Sequence, residues 1–349
     1  MTALAEAIKK VATGPHLTKD LTTPETDAAM AEILSGEADP VQAAIFFIAL
    51  RIKRETNDEN LGIFNALQAC TGQIQADVEQ LLLIADPFNG YNRHCPVAVF
   101  LPAVLAASGL PTLSQGVKEM GPKFGVTHSQ VLSLAGVNVE LTTAQAKDQI
   151  NDSQLGWAYL DQEQASPALF ALQDLRTRMI KRPSLATLEK MVMPIKATGK
   201  THLQIGFVHK AYPEVLAWMA DAAGFGSALI IRGIEGGILP TLRETANCFQ
   251  STVGQAESYP MDPTAFGLSQ STRGVLPVDN ESVTAAETLE LGLKALDGQS
   301  GPAFDSLVYG AALGLWHCGL QSSQRQAADH VRKVIQYGRA KATFQQTLS

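Results

Sequence analysis

The chain has 349 residues, 46% of them hydrophobic and 17% charged, with aromatic side chains at only 6%. That length gives ample material for a large core and favours two domains. The abundance of alanine, leucine and glycine argues for α/β packing over an all-β sandwich. A formal charge of −7 excludes a whole-protein field that attracts polyanions, so any phosphate or nucleic-acid site must be a local basic patch.

Residues 1 to about 70 read as consecutive helices. Met1 to Lys10 lack the basic-then-apolar order of a secretion signal, which predicts a soluble, cytoplasmic protein. Thr22 is placed to cap a helix whose first turn holds Pro24 and Glu25. Ala29, Met30, Ile33 and Leu34 continue it at helical spacing, and Gly36 stops it. A second helix starts at Pro40, with Val41, Ala44, Ile45, Ile48 and Ala49 as one stripe widened by Phe46 and Phe47. A helix so apolar all round is expected to be buried or to form a subunit interface.

At Leu81 the pattern changes to short apolar runs: Leu81–Ala85, Leu203–Val208 and Ala228–Ile231. Each suits a buried parallel strand, and amphipathic segments such as Pro213–Ala223 separate them. The longest apolar run, Val97–Ala107, contains Pro102 and is too short to span a bilayer. Residues 250 to 285 read as an irregular excursion, and Leu307–Cys318 with Gln324–Ala342 as a closing helical hairpin. Cys70, Cys95, Cys248 and Cys318 are scattered without a C-x-x-C pair, which speaks for buried thiols in a reducing compartment rather than a zinc site.

Ligands of α/β sheets sit beyond the carboxyl ends of strands. Three loops therefore merit inspection: Asp86–His94, Ser114–Lys123 and Arg232–Gly237. The first is turn-rich and offers Asp86, Asn89 and Gly90, although Pro87 removes a backbone donor. The second carries three glycines and two lysines between Gln115 and Gly125, a composition that suits phosphate. In the third, Glu235 is a sole carboxylate among glycines and a weak magnesium ligand, since that ion wants several oxygens in octahedral array. His209 follows the second apolar run and reads first as a structural histidine. Between Arg176 and Lys200 lie seven basic residues, Arg176, Arg178, Lys181, Arg182, Lys190, Lys196 and Lys200. Set against Asp174 and Glu189, they leave a local charge of +5. The spacing of Arg178, Lys181 and Arg182 predicts one helical face that presents all three to an anion.

The segments Leu17–Thr22, Ile33–Glu37, Gln42–Ile45, Ala49–Lys53 and Glu55–Thr56, with Ser166–Leu169, Met261–Leu268 and the closing hairpin, resemble anthranilate phosphoribosyltransferases over almost the whole chain. The resemblance implies an α/β fold: a small N-terminal helical domain plus a larger domain with a mostly parallel sheet, of the nucleoside phosphorylase and phosphoribosyltransferase class. It implies domains at 1–72, with about 165–195 packing on it, and at 78–164 with 196–349. It also implies a homodimer through the helical domain.

The family's active-site motifs are rewritten. Its Gly-Thr-Gly-Gly-Asp cradle for phosphoribosyl pyrophosphate falls on Asp86–Gly90, its Asn-x-Ser-Thr segment on Cys95–Val99, and its Lys-His-Gly-Asn-Arg stretch on Ser114–Lys118. Its Asp-Glu magnesium pair falls on Glu235–Gly236, and the arginine that contacts anthranilate matches Arg182. The implied ligand-binding set is Asp86, Asn89, Gly90, Lys118, Arg182 and Glu235, with no catalytic residue or metal ligand assigned. The expectation is a phosphate-bearing ligand rather than true anthranilate phosphoribosyltransferase activity, because loss of cradle glycines and a metal carboxylate removes transition-state stabilisation. The spacing of Arg176, Arg178, Arg182, Thr187 and Lys190 with Gly233–Gly236 also resembles a divergent subgroup associated with nucleic-acid binding. There Arg176, Arg178, Lys181, Arg182 and Lys190 would line a basic groove.

Overall fold

The structure, a computed structural model, describes residues 2–14, 16–278 and 282–348. Four helices open the chain: α1 (Ala3–Val11), α2 (Thr23–Leu34), α3 (Pro40–Lys53) and α4 (Asn57–Thr71). Thr22 and Glu25 form a reciprocal cap at the start of α2, and Thr56 and Glu59 repeat the device on α4. Buried Glu59 also accepts from the Leu21 N–H at 3.0 Å and pairs with Lys53 at 2.9 Å, so its charge is met on every side.

α3 corrects one expectation. Its buried face is Ala43, Phe46, Phe47 and Leu50, whereas Val41, Ile45 and Ile52 stand 63%, 42% and 78% exposed. Phe46 and Phe47 therefore centre the inner face, and the stripe through Val41 and Ile45 is left without an internal partner.

Among the described residues nine strands follow: β1 (Ile74–Gln75), β2 (Gln80–Ala85), β3 (Thr112–Gly116), β4 (Trp157–Asp161), β5 (Ile195–Lys196), β6 (Lys200–Gly206), β7 (Ser227–Ile231), β8 (Cys248–Ser251) and β9 (Glu257–Ser258). Seven form one sheet in the order β4-β3-β2-β6-β7-β8-β9, parallel from β4 to β7 and antiparallel thereafter. The protein is thus a small N-terminal helical domain joined to a larger α/β domain with a mostly parallel sheet. β1 and β5 pair separately, in parallel, where the chain passes between the two.

Alternation along the strands divides the core. Leu81, Leu83, Ala85, Leu203, Ile205, Ala228 and Ile230 face the helical domain and the helix Tyr212–Ala222. Leu82, Ile84, Leu229 and Ile231 face the helices Leu101–Ala107, Pro302–His317 and Gln324–Gln336. A sheet buried on both faces explains why its strands read as continuous apolar runs.

β3 and β4 escape such a reading because Thr112, Ser114, Gln115 and Asp161 interrupt them, although all are buried. Ser114 consequently lies inside a strand rather than a loop. Within the stretch expected to be irregular, β8 and β9 extend the sheet, and residues 279–281 lie outside the described residues. The closing hairpin forms, but its second leg breaks at Gly338 (φ 72°) before a last helix, Arg339–Gln345. Among the described residues, no helix is long and apolar enough to cross a membrane.

At the amino ends of β6 and β7, Ser227 Oγ lies 2.7 Å from His202 Nδ1 and 2.8 Å from His317 Nε2. Burial, reinforced by Lys200, lowers His202 from 6.5 to about 4; burial, reinforced by His202, lowers His317 to about 3. The folded chain thus refuses protons that unfolded histidines accept near pH 6.5. Stability is expected to be full above pH 6.5 and to decline as pH falls towards 4, by on the order of 3 kcal/mol for each histidine. Urea midpoints across that range check this, and His202→Gln should flatten the slope.

Candidate functional site

β2 is the switch point of the sheet, with β3 to one side and β6 to the other, where an α/β fold leaves a crevice at the strands' carboxyl ends. Loops 86–94, 117–127, 207–211 and 232–237 surround it, and the segment 176–190 closes it from the side of the helical domain. The resulting cleft has a volume of about 700 Å³.

Two carboxylates set the loop geometry. Asp86 is buried, 3% exposed. Its Oδ1 accepts from the Ile238 N–H at 3.0 Å and the Tyr91 hydroxyl at 2.9 Å, and Oδ2 lies 2.8 Å from His128 Nε2. Burial pushes its pKa up, but His128 and these donors outweigh that and leave the carboxyl below its ordinary range. Glu235 ties loop to loop. It accepts from the backbone N–H of Asn92, Arg93 and His94 at 3.2, 2.9 and 3.0 Å and pairs with Lys123 Nζ at 2.7 Å. His94 Nδ1 stands 3.3 Å away. Burial raises its pKa, but His94, Lys123 and the loop donors hold it far below the carboxylate range.

Glycine makes this closeness feasible at two points. A Cβ on Gly237 would sit 1.7 Å from the Tyr91 hydroxyl oxygen, and one on Gly90 (φ 71°) 2.3 Å from the Gly125 carbonyl oxygen. The loops meet backbone to backbone, with no room for a methyl group.

The cleft is cationic. Arg51, Arg93, Lys123, Arg176, Lys181, Arg182 and Lys190 all line it. Its two acids, Glu189 and Glu235, are already engaged: Arg176 grips Glu189 with two bonds of 2.7 Å. Arg182 is held by the amide oxygen of Asn89, at 2.8 Å from Nη1 and 3.2 Å from Nε. Its own carbonyl accepts from Arg51. Burial and the like charge of Arg51 lower the pKa of Arg182. Lys190, 7% exposed, makes no ion pair with any described residue and reaches only the Gly206 carbonyl at 3.5 Å. Burial lowers it from 10.5 to about 8 despite the negative charges of Asp86 and Glu189.

The expected ligand residues thus divide. Asn89, Arg182 and Glu235 line the cleft, whereas Asp86 and Gly90 lie behind its wall and brace the loops. Lys118 points to solvent outside the lining; Lys123, the other lysine of that loop, occupies the cleft instead.

The basic segment does not form one face. Its helix, Gln173–Met179, ends before Lys181 because Ile180 turns to φ 64°. Arg178 pairs with Asp174 outside the cleft, Arg176 is locked to Glu189, and Lys196 and Lys200 lie on β5 and at the start of β6. His209 lines the cleft and is exposed, with its ring 6.0 Å from that of Tyr212. Arg51 and Arg93 carry no local motif and were not readable as site residues.

Glu235 does not fit a magnesium ligand. Five donors already converge on its two oxygens, leaving no direction for a hard cation.

A helical domain, a doubly covered parallel sheet and a cleft at its switch point define the architecture of a two-domain glycosyl-transfer protein. The sequence agrees: residues 5–70 match the helical bundle domain of a glycosyl transferase family, and residues 93–341 match that family's α/β domain. The chain belongs to this glycosyl transferase family. It is 25% identical over 339 residues to the anthranilate phosphoribosyltransferase of Methanobrevibacter smithii, covering 97% of this chain and 96% of that one. It is 27% identical to that of Methanosarcina acetivorans, covering 99% and 89%. The anthranilate phosphoribosyltransferase structure from Thermus thermophilus superposes with a TM-score of 0.80 at 19% identity, covering 100% of this chain and 98% of that one.

Replacing Glu235 with alanine strands three backbone donors and the Lys123 ammonium. A loss of about 1–3 kcal/mol is expected, read as a lower Tm, with the 86–94 loop made more open to proteolysis. A Tm within experimental scatter of the parent would contradict the clamp.

Proposed function

We propose that the cleft binds a phosphate-bearing small molecule through its cations, on a phosphoribosyltransferase-like scaffold that does not perform the anthranilate phosphoribosyltransferase reaction. The observation that carries this reading is Lys190: a buried, unpaired ammonium at the cleft floor, which a bound anion would compensate. Arg182, oriented by Asn89, and the exposed Arg51, Arg93 and Lys181 supply further donors around it. Against pyrophosphate transfer stand the rewritten cradle at Asp86–Gly90 and the saturated carboxylate of Glu235, since that chemistry draws on a metal and many fixed donors.

Lys190→Met is expected to weaken pyrophosphate binding about tenfold to a hundredfold, the range for a charge-assisted hydrogen bond; titration calorimetry measures it. Affinity should fall as pH rises through about 8, as the free protein's lysine loses its charge. Arg178→Ala, outside the cleft, should change nothing. Equal affinity in Lys190→Met would refute the reading.

Nucleic-acid backbone is a second reading, supported by the exposed Lys181, Arg182, Arg51 and Arg93 at the mouth. It predicts oligonucleotide affinity that drops steeply with salt and depends on Lys181 and Arg182. Strong pyrophosphate binding with no oligonucleotide shift at low salt decides for the small molecule.

The exposed Val41, Ile45 and Ile52 on α3 support a homodimer through the helical domain, with a second copy covering this stripe. Ile45→Asp is expected to yield monomer in sedimentation or light scattering; an unchanged mass would exclude α3 as the interface.

A further inference from the structure

The cleft, at about 700 Å³, has the size of a site for an organic ligand, about 300–1,000 Å³, and far exceeds an inorganic phosphate. Its cations account for one end of such a ligand. Nearer the mouth the walls change character. Ile180 and Val208 both line the cleft, one on the segment that closes it and one on the loop after β6, and they stand 68% and 56% exposed. Pro122 is exposed in the lining as well. Just beyond it Phe124 is 55% exposed. A Cβ on Gly121 would sit 3.0 Å from the Phe124 Cζ and 2.9 Å from the Thr177 hydroxyl oxygen, so the ring lies between the cleft edge and the helix that leads into Ile180.

Single exposed apolar residues are ordinary, but two of these sit on strained backbone beside a charged site. Ile180 has φ 64° and Phe124 φ 47°, and a β-branched or bulky residue at positive φ is a genuine outlier. Asparagine or glycine would fit either turn with less strain, so folding alone gives no reason for an apolar side chain there. Strain of this kind gathers at ligand clamps. The engaged acids narrow the ligand further. Glu189 is gripped by Arg176, and Glu235 by the loop donors and Lys123. A ribose diol, which a carboxylate commonly meets, finds neither of them free.

We propose that the cleft takes a diphosphate ester of an apolar alcohol, such as a prenyl or alkyl diphosphate. Its head lies at Lys190 and Arg182, and its tail runs along Ile180 and Val208 towards Phe124. This rests on the phosphate reading and adds the class of group that the phosphate carries.

Titration calorimetry on the full chain with methyl diphosphate and geranyl diphosphate tests this, since the two share a head group and differ in the tail. Geranyl diphosphate is expected to bind about tenfold tighter or more, a gain that burial of a few methylenes supplies. Ile180→Asn, which suits the positive φ, and Val208→Ser should each remove much of that gain and leave methyl diphosphate unchanged. Lys190→Met should weaken both esters alike. Equal affinity for the two esters would overturn the proposal while the phosphate reading stands, as would a full tail gain in the Ile180→Asn, Val208→Ser double variant. ADP binding more tightly than geranyl diphosphate would overturn it in favour of a nucleotide. No heat from any diphosphate would remove the phosphate reading and the proposal with it.

Discussion

Glu235 is the contact on which the cleft depends. Parallel strands end in loops whose backbone donors have lost their ladder partners, and such donors must be satisfied. Here the loop after β7 sends a carboxylate across the gap to satisfy three of them in the loop after β2, and Lys123 from the loop after β3 completes the set. Asp86 repeats the principle in the other direction, reaching from the β2 loop to the Ile238 N–H. The two carboxylates are complementary braces, and together they tie the loops after β2, β3 and β7 to one another. A chain that spends its carboxylate on its own backbone has an anion already seated beside the cleft, which leaves Lys190, Arg182 and their neighbours as the cations not engaged by it.

Those cations differ in kind. Arg176 is neutralised by Glu189 and serves as structure. Lys181 and Arg93 are hydrated, and their contribution falls with salt. Lys190 is desolvated and in no ion pair with a described residue, so an anion beside it would interact in a low-dielectric setting where Coulomb energy is largest. Arg182 lies between these limits, half desolvated and aimed by Asn89. The cleft's cations thus run from a hydrated mouth to a dry floor.

Much of the fold was legible because its signals are local. Thr22 with Glu25 caps α2 as the spacing says, and the apolar runs of β2, β6 and β7 are what a doubly covered sheet requires. β3 and β4 were not, since their polar residues are buried by tertiary partners: the Gln115 amide donates to the Val192 carbonyl, for example. Of the residues read as ligand-binding, Asn89, Arg182 and Glu235 line the cleft and Asp86 and Gly90 do not, because a loop sequence does not say which way its carboxylate turns. The choice between Lys118 and Lys123 depends on a turn ending at Phe124 (φ 47°), and that conformation has no signature in the sequence. The +5 segment reaches the cleft only in part and not as one helical face, because Ile180 breaks the helix and Glu189 absorbs Arg176.

The short ladder of β1 and β5 has a mechanical meaning. Ile74 donates to the Pro194 carbonyl at 2.9 Å, and Ala76 to that of Lys196 at 2.8 Å, so two connections that enter the sheet side by side and in the same direction are bonded to each other. β1 leads into β2 and β5 into its neighbour β6. The stretch that carries Arg182 and Lys190 ends where β5 begins, so the ladder fastens the cationic wall of the cleft to the same frame that carries the loop after β2.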